Sequence, residues 1–304
     1  MANTEWLDGE SHWIKKNDIN LFLWNKKAKS IKNKGVILFI HGSSMAAQPT
    51  FDLRVDGRPY SSAMDWFADK GFDTWTLDNE GYGRSDKKRN INFDIQNGME
   101  DIACAVDYIL LNTKSSQVHM YGISSGALKA ALFAQNYPTS VSKLMLDAFV
   151  WTGENSPTLE VRKKKLSEYK ENFRRPIDEN FIKSIFDRDH PGTADGKTIS
   201  AFAEAILTLD DSVPTGTYVD MCSKLPLVDP LKIYSSVLIL RGEYDGIASM
   251  SDLLKFFALL PNMNKQFTVM RGISHASFQQ KNYLMVYDIM HSFLTMQEPT
   301  YYGD

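Results

Sequence analysis

The sequence predicts an α/β protein: a mostly parallel central sheet flanked by helices, with a helical cap inserted into it. Three observations carry this. Short apolar runs of strand length alternate with helical patterns from about residue 35 to 147, and again from about 235 to 296. The first of these runs, Gly35 to Ile40, is continuously apolar, as a strand buried on both faces of a parallel sheet must be. Between the two alternating blocks the composition shifts toward Lys, Glu, Asp and Arg while helical periodicity persists. The expected division is a core of residues 1–149 and 232–304 and a helical cap of residues 150–231.

Taken in order, His12–Lys16 and Leu21–Trp24 flank the turn-like Lys16-Asn17-Asp18-Ile19 and read as a hairpin. Gly35–Ile40 runs into His41-Gly42-Ser43-Ser44. A loop rich in Pro, Gly and Asp leads to a helix over Ser61–Lys70, stopped by Gly71. The strand Phe72–Leu77 ends in Asp78-Asn79-Glu80-Gly81-Tyr82-Gly83-Arg84-Ser85-Asp86. Met99, Ile102, Ala105, Val106, Ile109 and Leu110, spaced at threes and fours, mark a long amphipathic helix. Val118, Met120 and Ile123 belong to the next strand, and the small-residue stretch Ala127–Ala134 to the helix after it, closed by Pro138. A strand over Val141–Leu146 follows. In the cap, helical patterns cover Leu159–Arg174, Asp178–Phe186 and Ser200–Leu209, with a break at Pro191-Gly192. Unlike charges four residues apart suggest solvated faces there. Alternation resumes with a strand over Val237–Leu240, a helix over Asp252–Leu260, a strand over Gln266–Met270 and a helix over Asn282–Met296.

A chain of 304 residues suffices for one large α/β domain with an inserted lid. Net charge of −3 and a pI near 6.1 give no electrostatic case for nucleic acid or an anionic membrane surface. The two cysteines, Cys104 and Cys222, lie far apart with no metal-ligand spacing, which favours a reducing compartment. The first residues are polar and acidic, unlike a signal peptide, and no apolar run approaches the roughly 18 residues of a membrane span. The expectation is a cytoplasmic protein that acts on a small molecule without metal or cofactor; nothing indicates its oligomeric state.

The chemistry gathers where strands end. Gly122-Ile123-Ser124-Ser125-Gly126 is G-x-S-x-G between a strand and a helix, the setting of a nucleophile elbow. Its glycines suit a turn with no room for side chains two residues either side of Ser124. A serine hydroxyl needs a base, and an acid that orients the base. Of the six histidines, His275 alone follows the last strand in a short loop. Asp245, just past a strand end, suits the order nucleophile, acid, histidine; Asp147 and Glu243 are the alternatives. Oxyanion donors are expected from the backbone N–H groups of Ser125 and of Ser43, with Ser44 possible. His41 itself reads as structural.

With these residues in place, the chain resembles the α/β-hydrolase superfamily, in the branch of serine esterases and carbon–carbon bond hydrolases with a helical cap. The resemblance rests on His41-Gly42-Ser43, the Asp78–Ser85 loop, Gly122–Gly126, Gly242–Asp245 and His275. It implies a serine hydrolase of a carboxylic ester or lactone; thioesterases and acyltransferases share the machinery. A ligand-binding protein on the same fold is the competing class. One departure stands out: the family loop reads D-x-R-G-x-G-x-S, and Glu80 occupies the Arg position, where a solvated side chain is expected. The size of the cap suggests a bulky, partly apolar substrate, a macrolactone being one candidate, with Ser44, Phe149, Trp151, Tyr218 and Met221 lining its pocket.

Overall fold

A computed structural model describes residues 6–30, 33–297 and 299–301. The chain opens with the hairpin β1 (Glu10–Lys16) and β2 (Ile19–Lys26), whose turn places Asn17 at φ 55°. Strand β3 (Val36–Ile40) is buried along its whole length, as the unbroken apolar run requires. Two helices follow, α1 (Ala47–Phe51) and α2 (Ala63–Asp69), the second capped by the Ser62 side chain accepting from the Asp65 N–H. Then come β4 (Asp73–Asp78), the long helix α3 (Ile95–Thr113) capped by Asp94, β5 (Val118–Ile123), α4 (Ser125–Asn136) and β6 (Val141–Asp147).

Between β6 and the next sheet strand lie α5 (Pro157–Lys163), α6 (Leu166–Glu171), β7 (Arg174–Pro176), α7 (Glu179–Asp187), α8 (Gly196–Leu207), β8 (Ser212–Pro214) and α9 (Gly216–Ser223). The chain closes with β9 (Ser236–Gly242), α10 (Met250–Leu259), β10 (Lys265–Met270) and α11 (Tyr283–Thr295). The main sheet has eight strands in the order β1-β2-β4-β3-β5-β6-β9-β10. The pairs β1–β2 and β2–β4 are antiparallel; the other neighbours are parallel, so the sheet is mostly parallel and the α/β expectation holds. Among the described residues no helix is long and apolar enough to cross a membrane.

The insert after β6 differs from the sequence expectation in two ways. The single helix expected over Leu159–Arg174 is two, α5 and α6, because helical periodicity runs through the break and hides it. The antiparallel ribbon β7–β8 was illegible: two three-residue strands far apart in sequence carry no period. Insert residues Ile177, Ile182, Ile185, Phe186, Phe202, Ala203, Ile206 and Val213 form a second apolar cluster with Met45, Leu53, Val55, Tyr82 and Ala276. Those five partners come from loops beyond β3, β4 and β10, so the insert is seated over the carboxyl edge of the sheet. Its polar ties reach the same loops: Asp210 accepts from the Gly83 N–H at 2.9 Å, and Asp220 from the Ile95 N–H at 2.9 Å.

Candidate active site

Packing dictates the turn that presents Ser124. A Cβ on Gly122 would lie 2.4 Å from the Gly126 carbonyl oxygen, and one on Gly126 would lie 2.2 Å from that of Ile40. Only glycine allows β5 to turn this sharply into α4 against β3. Ser124 sits at φ 58°, ψ −123°, a conformation costly for a residue with a Cβ. Its N–H donates to the Asp147 carbonyl at 2.9 Å, tying the turn to the end of β6.

His275 and Asp245 arrive from the loops after β10 and β9, at the same edge. The His275 Nε2 lies 3.1 Å from Ser124 Oγ, and its Nδ1 3.0 Å from Asp245 Oδ1. All three residues are buried. Burial pushes the Asp245 carboxyl up, but the facing His275, the Ile247 N–H and Arg188 together hold it below the usual carboxylate range. An ionised Asp245 fixes the proton on Nδ1 and leaves Nε2 to accept from the serine hydroxyl. The two alternative acids lie elsewhere. Asp147 accepts a 2.5 Å hydrogen bond from the Tyr121 hydroxyl, and burial raises its carboxyl to about 7. Glu243 accepts from the Gly272 N–H at 2.8 Å.

The loop after β3 passes beside Ser124: a Cβ on Gly42 would be 3.4 Å from the Ser124 Cβ. His41 is enclosed. Its Nε2 accepts from the Asn79 N–H at 3.0 Å, so Nδ1 carries the proton and donates to the Gly42 carbonyl at 2.7 Å. Burial, then the Lys129 charge, hold the ring well below its ordinary value and therefore neutral. That bond fixes the Gly42–Ser43 peptide, whose N–H points away from its carbonyl. Ser125 is the first residue of α4, where N–H groups lack intrahelical partners.

A cavity of about 160 Å³ opens on Ser124 and His275. The core contributes Gly42, Ser43, Ser44, Met45, Ile123 and Ala276; the insert contributes Arg162, Tyr169, Phe181, Ser184, Ile185, Arg188 and Tyr218. Of the expected pocket residues, Ser44 and Tyr218 line it. Phe149, Trp151 and Met221 do not. The rings of Phe149 and Trp151 pack on Phe256 of α10, at 4.7 Å and 5.9 Å, and Met221 is buried in the main core, so all three serve packing. The solvated reading of Glu80 is also corrected. Its carboxylate is buried, accepts from Arg89 Nε and Nη2 at 2.6 Å and 2.5 Å, and lies 3.2 Å from Lys16 Nζ. Cations from outside the loop thus hold a position where an arginine is usual.

The insert's arginines escaped the sequence reading, because basic residues on helices look like solvated faces until their partners are known. The guanidinium carbons of Arg162 and Arg175 lie 4.1 Å and 4.2 Å from the centre of the Tyr218 ring. Burial opposes ionisation of that phenol, but Arg162, Arg175, the Ser44 hydrogen bond and Arg188 outweigh it and bring it down to about 7. Arg188 is engaged by Asp189, at 3.0 Å and 2.7 Å. Asp189, Asp245 and His275 bring donor atoms within 4.8 Å of one another, the one such grouping of potential metal ligands among the described residues. Arg188 already binds Asp189, and both His275 nitrogens face Asp245 and Ser124.

A family described as serine aminopeptidase, S33, matches residues 31–282. None of the curated proteins compared matches the chain. Solved structures match over nearly the whole length. E-2-(acetamidomethylene)succinate hydrolase is 17% identical with a TM-score of 0.70, over 95% of this chain and 100% of its own. A soluble variant of monoglyceride lipase from Saccharomyces cerevisiae, in complex with a substrate analogue, is 17% identical with a TM-score of 0.72, over 97% of each chain. The thioesterase domain from the curacin biosynthetic pathway is 13% identical with a TM-score of 0.67, over 94% of this chain and 99% of its own. At such identities the likeness is one of fold.

Proposed function

The chain belongs to the serine aminopeptidase S33 family of α/β hydrolases, and within it we propose that this protein is a serine hydrolase of a carboxylic ester or lactone. The observation that carries the proposal is the unbroken relay from Ser124 Oγ through His275 to Asp245, set beside the Gly42–Ser43 backbone. In this reading His275 Nε2 takes the hydroxyl proton as Ser124 Oγ attacks the carbonyl carbon. The Ser125 and Ser43 N–H groups stabilise the negative oxygen of the tetrahedral intermediate. His275 then gives its proton to the leaving alkoxide, and the acyl group stays on Ser124. A water deprotonated by His275 attacks the acyl-serine, and the proton returns to Ser124 as the acid departs. The same serine, histidine and acid serve thioesters, with a thiolate leaving; acyl transfer, with an alcohol or amine in place of the water; and carbon–carbon cleavage, with a protonated carbanion leaving.

Electrostatics supports the ester over the reaction in the family's description. An aminopeptidase must receive an α-ammonium group, whereas the charged side chains that line this cavity are Arg162 and Arg188, the second of them paired with Asp189 behind the wall, and, among the described residues, no carboxylate lines it. The volume bears on size. About 160 Å³ is below the roughly 300–1,000 Å³ of sites that enclose drug-sized ligands. A short acyl group fits as the insert stands; a bulky, partly apolar substrate such as a macrolactone requires the insert to lift. Replacing Ser124 tests the proposal. Ser124→Ala is expected to abolish hydrolysis of p-nitrophenyl acetate while the circular-dichroism melt stays at or above that of the wild type, since the change removes no packing atom beyond Oγ. Turnover that survives in this variant refutes the assignment.

A further inference from the structure

Two side chains of the insert grip the loop that carries the Ser43 N–H. The Arg175 Nη2 of β7 donates to the Ser43 carbonyl at 3.0 Å and to Ser44 Oγ at 2.8 Å. The Thr217 Oγ1 of α9 donates to Ser43 Oγ at 2.8 Å. Both are buried, Arg175 to 8% exposure and Thr217 to 1%. Sequestering a guanidinium from water costs several kcal/mol unless its hydrogen bonds are well used. Among the described residues no carboxylate pairs with Arg175; the charge lies over the rings of Phe181 and Tyr218, at 4.9 Å and 4.2 Å, and of its buried nitrogens Nη2 alone is bonded, to the loop, while Nε and Nη1 have no hydrogen-bond partner among the described residues. The Tyr82 hydroxyl adds a second donor to the Ser43 carbonyl at 3.2 Å. The side-chain oxygen and the carbonyl of Ser43 are thus both held, and the polar group left for these contacts to aim is its N–H.

We propose that Arg175 and Thr217 are positioning residues for the Ser43 oxyanion donor, so that the seated insert completes the catalytic geometry as well as covering it. The inference rests on the hydrolase reading above and adds to it a dependence of the chemical step on the insert. Donors fixed before the reaction contribute most because no reorganisation is needed when charge develops. Loosening the loop therefore lowers kcat, while substrate that does not touch Arg175 or Thr217 binds as before.

The test uses the full chain with p-nitrophenyl acetate, an ester too small to need contacts deep in the insert. Arg175→Met and Thr217→Val are expected to lower kcat by about tenfold or more with KM changed less than about twofold, since losing an oxyanion donor outright costs roughly 100- to 1,000-fold. Thr217→Ser restores the hydroxyl and most of the rate. The double variant loses less than the product of the two single losses, because both residues hold one serine. Amide hydrogen exchange at residues 42–45 quickens in each damaged variant. A lowered melting temperature with unchanged kcat, or a change confined to KM, overturns the inference in favour of packing or substrate contact. If Arg175→Met does not fold, Thr217→Val, which keeps the side-chain volume, decides alone. Should the wild type show no Ser124-dependent turnover, the hydrolase reading is what fails; exchange at Ser43 in Thr217→Val still decides the positioning, and unchanged protection refutes it.

Discussion

Two buried aspartates, Asp245 and Asp147, belong to strand ends at the edge that carries Ser124, and the physics of each suits it to a different task. An acid that steadies an imidazolium must itself be ionised. Asp245 meets this: its charge faces His275 and accepts the Ile247 N–H at 3.0 Å. Asp147 is about half ionised at neutral pH, since burial lifts it to about 7, and its carboxylate bonds the Tyr121 hydroxyl while His275 Nδ1 faces Asp245. Sequence order alone left both open, because each follows a strand that ends at the same edge; the side-chain direction decides, and no motif encodes it. Asp245→Asn is therefore expected to cut kcat by about 10⁴, the order seen when a triad acid is replaced and the histidine tautomer is lost. Asp147→Asn keeps kcat within about threefold, because an amide oxygen still accepts from Tyr121, at a cost on the order of 1 kcal/mol in stability. Steady-state kinetics on the two variants side by side checks the assignment. A larger loss in Asp147→Asn would reverse it.

At the scale of elements, the parts legible in the sequence are those built on local repetition. The buried strand Val36–Ile40, the amphipathic α3 and the G-x-S-x-G turn each state their structure within a dozen residues. The insert was legible only as helical. Its ribbon β7–β8 pairs Arg174–Pro176 with Ser212–Pro214 across more than thirty residues, and its cavity wall is drawn from α5, α6, α7 and α9. The apolar candidates Phe149, Trp151 and Met221 failed because an apolar side chain at a junction gains most by joining the core, Phe149 and Trp151 through Phe256 and Met221 within the main cluster. Arg175 went unnoticed because its partners, a backbone carbonyl and a serine hydroxyl more than 130 residues away, leave no trace in composition. The wall also sets a prediction. With Phe181 and Ile185 among the walls of a cavity of about 160 Å³, kcat/KM for p-nitrophenyl esters is expected to fall by tenfold or more between butyrate and decanoate, reversing the usual gain of about 0.8 kcal/mol per buried methylene. Ile185→Ala shifts the optimum toward longer chains. A profile that rises steadily with chain length would mean that the insert does not bound the site.

Across the whole molecule, a buried polar network ties β1, the loop after β4, α3 and α4 into one unit beneath the candidate site. Lys16 of β1 bonds Asp101 of α3 and lies 3.2 Å from Glu80; Glu80 and Asn79 accept and donate within the same cluster; and Lys129 of α4 donates to Asn79 Oδ1 at 2.7 Å. Gly98 of α3 makes room for it: a Cβ there would lie 2.6 Å from the Lys129 Cδ. The departure at Glu80 was visible in the sequence, but its meaning was not, since Lys16 and Arg89 lie outside the motif. Lys129 is fully buried, and burial, only partly offset by Asp101, lowers its ammonium to about 7 from an ordinary 10.5. Between those two values the unfolded chain holds a proton that the folded chain has released, so stability rises with pH across that window. The contribution fades as pH falls through 7, and below 7 both states are protonated and the slope vanishes. Lys129→Met removes this group, and the enclosed His41 ring that its charge depresses is held low by burial first, so urea unfolding of wild type and variant from pH 6 to 9.5 reads Lys129. The difference in unfolding free energy, wild type minus variant, is expected to be flat below about pH 7 and to climb at up to about 1.4 kcal/mol per pH unit above it. A difference that stays level to pH 9.5 would mean that Lys129 keeps its proton in the fold and that Asp101 reaches it more strongly than burial repels it.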